Sequence, residues 1–264
     1  MPSPKSSRML AVERQKYILD VIQEHGTVTV TQICDHCGVS SVTARTDLDA
    51  MEREGQLKRT HGGAVPVTQL VIPAVPQRVH KNAQAKQAIG RRAAELVEDG
   101  ETILVGSGST TLAFLHCLGE KRGITIITND VNGLIYIEQF LPQATPACTG
   151  GILGREYRHF AGPMVASSLS DIYIDKVFLG ADGFEPDFGF LAEFERTATT
   201  KVEFMRHARK AIILMDASKV GAARSFVRFA APTDVDTVIM DKDPGGIVAK
   251  ATAGEGGTNR VVIA

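Results

Sequence analysis

Two spacings of apolar residues divide the chain. Over 12–25 the apolar positions Val12, Tyr17-Ile18 and Val21-Ile22 fall on one helical face, and Gly26 follows as a stop. A second amphipathic stretch covers 81–98, with Ile89, Ala93, Leu96 and Val97 inward and Asp99-Gly100 at its end. From there short apolar runs alternate with helical patterns. Strands are predicted over 102–105, 124–128, 145–149, 176–181, 211–215, 237–240 and 261–263. Helices are predicted over 110–118, 131–140, 162–169 and 197–208. Apolar strands alternating with helices imply a mostly parallel sheet covered on both faces, an α/β domain.

The stretch 28–64 reads differently. Thr31 can cap a short helix with Ile33, Cys34 and Cys37 inward, and Gly38 sits where the chain must turn. Ser40 or Ser41 caps a longer helix that runs to about Glu54 and stops at Gly55. Val42, Leu48 and Met51 are expected on its core side. Leu57 to Thr60 and the residues after Gly62-Gly63 can pair as a hairpin wing, and the β-branched run 27–30 can pair with it. Two helices, a tight turn and a wing make a winged helix-turn-helix, which places its second helix in the major groove of DNA. Ser40, Ser41, Thr43, Ala44 and Arg45 crowd the end of that helix that meets base edges. Lys58, Arg59 and His61 are placed to reach phosphates.

Length and charge refine this picture. With 264 residues, 44% hydrophobic and 22% charged, the chain fits two globular domains and not a disordered one. The expected division is a DNA-binding domain at 10–65, a linker at 66–80 broken by Pro66, Pro73 and Pro76, and an α/β domain at 81–264. Net charge is −1, so DNA affinity must come from local basic groups in the N-terminal tail and the wing. No apolar run approaches the roughly 20 residues of a membrane span, and the N-terminus lacks a signal-peptide core. A soluble cytoplasmic protein is expected. Cys34-Asp35-His36-Cys37 invites a metal or redox reading, but no second Cys/His pair follows at finger spacing, and buried thiols pack well as small hydrophobes. No metal and no cofactor are expected.

Ligands of open α/β sheets bind beyond the carboxyl ends of the strands. Gly106-Ser107-Gly108-Ser109-Thr110-Thr111 follows the first strand and runs into a helix. Its glycines, hydroxyls and free N–H groups suit a phosphate. Later strand ends bring Asn129-Asp130, Gly150-Gly151, Ala181-Asp182-Gly183 and Asp216-Ala217-Ser218-Lys219. Together they supply carboxylates and amides for hydroxyl groups, and hydroxyls with a cation for an anion.

Two family resemblances cover nearly the whole chain. Val28, Val30, Ile33-Cys34, Cys37-Gly38-Val39-Ser40, Thr43, Arg45, Asp47-Leu48, Met51-Glu52, Gly55, Leu57, Arg59 and His61-Gly62-Gly63-Ala64 resemble the N-terminal module of the DeoR family of bacterial transcriptional regulators. That family usually has two adjacent arginines before the Asp; here they are Arg45 and Thr46. G-S-G-S-T-T at 106–111, I-T-N-D at 127–130, T-G-G at 149–151, D-K-V-F-L-G-A-D-G at 175–183, Lys201 and I-I-L-M-D-A-S-K at 212–219 resemble the same family's C-terminal sensor. The resemblance implies a fold similar to ribose-5-phosphate isomerase and a phosphorylated sugar or polyol as effector. It also implies roles: Ser107, Gly108, Ser109, Thr110 and Thr111 hold the phosphate, and Asn129, Gly150 and Gly151 line the pocket. Asp182 binds sugar hydroxyls, while Lys201 and Lys219 supply positive charge. Gly106 and Thr197 stand where the family often has acidic residues.

The expected function is a transcriptional regulator, most often a repressor in this family, that acts as a dimer or tetramer on double-stranded operator DNA and has no membrane partner. The alternative is a sugar-phosphate isomerase with an added domain, for which Asp182 is a candidate base without an evident partner acid. A co-regulator that binds protein is a third reading, resting on the acidic long helix and the missing second arginine.

Overall fold

The structure, a computed structural model, describes residues 9–54, 56–60, 62–66, 80–154, 157–222, 225–253 and 260–264. The chain divides into two compact units, 1–74 and 75–264.

The first unit runs α1 (Ala11–His25), β1 (Val28–Thr29), α2 (Val30–Cys37), α3 (Ser41–Arg53), β2 (Leu57–Thr60) and β3 (Gly63–Pro66). Gly26 and Gly38 end α1 and α2 in the left-handed conformation that glycine adopts without strain. The cap of α2 is Thr29 and not Thr31: its hydroxyl accepts from the Gln32 N–H, and the Gln32 side chain accepts from the Thr29 N–H. The reciprocal Thr29-x-x-Gln32 pair satisfies two otherwise orphaned donors, and Thr31 is left exposed inside the helix. Ser40 caps α3 by accepting from the Thr43 N–H at 3.2 Å. The wing is a three-stranded antiparallel sheet in the order β1-β3-β2, with Val28 opposite Ala64. At Gly63 a Cβ would lie 1.9 Å from the Val28 carbonyl oxygen, so this close strand approach admits glycine alone.

Ile18, Ile22, Ile33, Ala44, Leu48, Met51 and Leu57 form the core of this unit. The stripe of α3 is therefore Ala44, Leu48 and Met51, at i, i+4 and i+7. Val42, expected inward, is 71% exposed, because it lies about 200° around the helix from Ala44. Asp47 closes the unit by pairing with Arg14 through two hydrogen bonds, at 2.6 and 2.9 Å, and so ties α3 to α1. Gly55, His61 and most of the expected linker lie outside the described residues.

The second unit carries α4 (Ala83–Ala94), β4 (Thr102–Val105), α5 (Ser109–Leu115), β5 (Thr125–Thr128), α6 (Val131–Phe140), β6 (Thr145–Cys148), β7 (Ile152–Gly154), β8 (His159–Ala161), α7 (Pro163–Leu169) and β9 (Ile174–Gly180). It continues through β10 (Gly183–Glu185), β11 (Gly189–Ala192), α8 (Glu195–His207), β12 (Ala208–Leu214), β13 (Val227–Ala230), β14 (Thr237–Met240), α9 (Ile247–Thr252) and β15 (Val261–Ile263). Seven strands form one parallel sheet in the order β15-β14-β12-β9-β4-β5-β6. Alternate residues of its central strands feed two separate cores, Leu104, Val177 and Leu179 on one face and Ile103, Val105 and Phe178 on the other. Burial on both faces is why these strands read as unbroken apolar runs.

Three features were not predicted, the first being the helix α9. β7 pairs with β8 as a short hairpin, and β10, β11 and β13 form an antiparallel sheet of their own. The chain leaves β4 toward β5 and β6, then returns to β9 and proceeds to β12, β14 and β15. The direction of winding thus reverses between β4 and β9, which opens a crevice above their carboxyl ends.

Candidate functional site

The first unit presents one end of α3 to solvent. Ser40, Ser41, Val42, Arg45 and Thr46 are exposed there and Thr43 is half-buried. Ala44 is different: it is fully buried in the core, so its methyl cannot reach a base edge, and it drops out of the expected contact set. Val42 takes its place on the exposed face. The Thr46 hydroxyl donates to the Val42 carbonyl at 2.9 Å, which leaves it an acceptor for an outside partner. Lys58 is exposed on β2. Arg59, expected to be a phosphate contact, is instead bound to α3: its guanidinium pairs with Asp49 and donates to the Arg45 carbonyl, and its backbone N–H donates to Glu52. Its Nε is buried without a partner among the described residues. The wing is thereby fastened to the helix, and Arg59 positions Arg45 more than it offers charge outward. His61 lies outside the described residues.

The second unit encloses a cavity of about 110 Å³ at the carboxyl end of the sheet. Four of the predicted strand ends meet there, that of β5 through Asp130. After β4 come Ser107, Gly108, Ser109 and Thr110; after β9 comes Asp182; after β12 comes Lys219. Lys201 enters from α8 and is 5% exposed; its ammonium donates to the Gly180 carbonyl at 2.7 Å and lies 4.8 Å from the centre of the Phe229 ring. The Asp182 carboxylate accepts from the Glu193 N–H, which holds it at the wall.

Four predicted residues do not line this cavity. Asn129 stands behind the loop: its Oδ1 accepts from the Ser107 N–H at 2.9 Å and its Nδ2 donates to the Phe160 carbonyl at 2.9 Å. Thr111 is buried and donates to the Gly108 carbonyl, which shapes the turn from inside. Gly150 and Gly151 belong to the approach to β7. A Cβ on Gly151 would lie 2.9 Å from the Ala161 carbonyl, so this glycine is required by the β7–β8 hairpin rather than by a ligand. At Gly106 a Cβ would meet the Leu179 Cδ2 methyl at 2.8 Å, so a side chain there requires that leucine to shift. Thr197 faces the cavity.

Sequence reasoning missed Asn132, Tyr157, His159, Glu193 and Phe194, all of which line the cavity with Asp130. Asp130 caps α6 by accepting from the Asn132 N–H at 2.8 Å; burial raises its carboxyl above the usual range, against these backbone donors. Burial lowers His159 below the usual imidazole range, and Lys201 and Arg196 push it the same way. Nearby, burial would raise Asp216, but hydrogen bonds from Ser218 and Asn82 outweigh it and hold the carboxyl low. Tyr157, His159, Glu193 and Phe194 come from β8 and the turns beside it and β11, which had no strong periodicity to announce them. Among the described residues no three His, Cys, Asp or Glu side chains gather as a metal site requires, and no helix is long and apolar enough to cross a membrane.

A winged helix-turn-helix followed by an α/β domain with a polar crevice defines a DNA-binding regulator with a sensor domain. Residues 14–69 match the model of the DeoR-like helix-turn-helix domain, and residues 81–242 match that of the DeoR C terminal sensor domain. The chain is similar to the HTH-type transcriptional regulator GlpR of Haloferax volcanii, with 31% identity over 88% of this chain and 91% of the relative. It is equally similar to the HTH-type transcriptional repressor GlcR of Bacillus subtilis, 31% identical over 89% of this chain and 90% of the relative. Among solved structures, ribose 5-phosphate isomerase a from Methanocaldococcus jannaschii superposes with a TM-score of 0.40 and 21% identity, covering 53% of this chain and 55% of that one. The chain belongs to the DeoR family. It is a DNA-binding transcriptional regulator and not an enzyme.

Proposed function

We propose that this regulator represses a carbohydrate-utilisation operon, and that a phosphorylated sugar or polyol in the sensor cavity controls its operator affinity. One observation supports the effector reading above the others. The hydroxyls of Ser107, Ser109 and Thr110, two lysines and the Asp182 carboxylate come together from separate elements around one cavity. An anionic group suits the loop and the buried Lys201, and hydroxyl groups suit the carboxylates. Ser40, Ser41, Thr43 and Arg45 read base edges in this scheme, joined by Val42 and Thr46, and Lys58 holds phosphate. A dimer or tetramer supplies the paired recognition helices that a two-fold operator requires. The ligand acts only as far as it binds the DNA-competent and DNA-incompetent states unequally.

The test is a thermal-shift screen of the full chain against glycerol 3-phosphate, ribose 5-phosphate, fructose 6-phosphate, glucose 6-phosphate and their unphosphorylated parents. At least one phosphorylated compound should raise the melting temperature, its parent should not, and Lys201→Met should abolish the rise. Equal shifts from parent and phosphate would reject the phosphate subsite.

A further inference from the structure

Two polar atoms at the cavity are buried without a hydrogen-bond partner among the described residues, Asn132 Oδ1 and His159 Nδ1. The residues are 6% and 8% exposed, and both line the cavity. Neither is a loose side chain. Asn132 sits in the first turn of α6, where its N–H donates to Asp130 Oδ1. His159 sits in β8, paired with Gly154 and bridged to Asp130. Buried polar atoms are nearly always paired, because an unmade hydrogen bond leaves the full desolvation penalty uncompensated. Two such atoms from different elements, meeting at one cavity, mark a place where a partner is supplied from outside the chain.

The chemistry of that partner follows from the atoms. Asn132 Oδ1 accepts and so requires a donor, which rules out a carboxylate or a fully ionised phosphate oxygen at this point. His159 faces Asp130 across its own bridge, Tyr157 beside it, and Lys201 and Arg196 from α8. Burial and those cations favour its neutral ring, whose Nδ1 donates or accepts according to tautomer. A hydroxyl meets both atoms in either tautomer. An ammonium would place a further positive charge beside Lys201 and Arg196.

We propose that Asn132 and His159 are the hydroxyl-selecting pair of the sensor, the residues that distinguish a phosphorylated polyol or sugar from a bare phosphate. This rests on the effector reading above and extends it to residues outside every stretch that carried the family resemblance. It also means that the cavity stores a penalty which the correct ligand relieves.

The experiment compares the full chain with Asn132→Leu, His159→Phe and His159→Gln. Each is titrated calorimetrically with glycerol 3-phosphate, ribose 5-phosphate, fructose 6-phosphate, glucose 6-phosphate and inorganic phosphate. The tightest organic phosphate should lose at least about tenfold in affinity in the first two variants, the effect of leaving its hydroxyl unpaired. The inorganic phosphate response should stay unchanged, and His159→Gln should recover part of the loss. Without ligand, both apolar variants should melt no lower than the wild type. Organic phosphates that bind wild type and variants within twofold would overturn the selecting pair while leaving the effector reading intact. Variants that melt lower without ligand would overturn it as well, by showing that the two atoms are bonded within the protein. If no compound binds the wild type, the effector reading falls and this proposal with it.

Discussion

In the N-terminal unit Arg14 closes on Asp47 and Arg59 on Asp49, so that two of its cations are spent inside the module. In the sensor, Asn132 and His159 line a cavity with polar atoms that have no partner among the described residues. Both units carry buried polarity, but they use it for different ends. The first turns most of it inward, as ion pairs and hydrogen bonds that join α3 to α1 and to the wing. The second leaves two polar atoms at the cavity without a partner among the described residues, which the proposed ligand would supply.

Breaking the ion-paired side has the largest effect. Asp47→Ala leaves the half-buried Arg14 with the Met9 carbonyl and no carboxylate, and the N-terminal unit should lose about 1.5–3 kcal/mol of stability, read from chemical denaturation. Loss below about 1 kcal/mol would mean that the pair is not what joins α3 to α1.

The outward side comes next. Arg45→Ala should weaken operator binding by about 1–3 kcal/mol without lowering the melting temperature, since its head contributes to no core contact. Lys58→Ala should weaken binding evenly across sequences and reduce the salt dependence by about one unit of slope. Equal losses on specific and random DNA for Arg45→Ala would move that residue from the bases to the backbone.

Protonation tests the sensor side with a smaller effect. His159 is held below its ordinary value of 6.5 in the folded protein. Below pH 6.5 the unfolded chain therefore binds a proton that the folded chain refuses, and stability falls as the pH drops toward the lowered value. The loss is at most about 1.4 kcal/mol per pH unit. His159→Phe should flatten this part of the profile of the sensor domain; an unchanged slope would place the titrating group elsewhere.

These contrasts also explain how much was legible in the residues themselves. The inner strands β14, β12, β9, β4 and β5 could be read because each carries a buried apolar run, whereas the edge strand β6 is largely exposed and gives a weaker signal. The hairpin of β7 and β8 and the sheet of β10, β11 and β13 are short; Ile152, Leu153 and Glu185 in them are exposed, and the buried run of β11 is only four residues long and opens on Gly189. The cavity residues they carry were lost with them. In α3 the type of residue misled: Val42 is more apolar than Ala44, yet a step of 100° per residue places Ala44 with Leu48 and Met51. The cap of α2 was legible in principle, through Thr29 and Gln32, and was assigned two residues late. Strand-end residues were the surest guide to the pocket, but they did not separate residues that face it, such as Asp182, from those that support it from behind, such as Asn129.

The central claim is that occupancy of the sensor cavity alters the grip of the reading face. It is tested most directly by measuring the affinity of the full chain for the DNA upstream of its own gene, with and without whichever organic phosphate raises its melting temperature, in the wild type and in Lys201→Met. The account predicts that the ligand weakens wild-type binding by about tenfold or more, the usual size of such coupling, and leaves Lys201→Met unaffected. Identical DNA affinity of the wild type at zero and saturating ligand would contradict it.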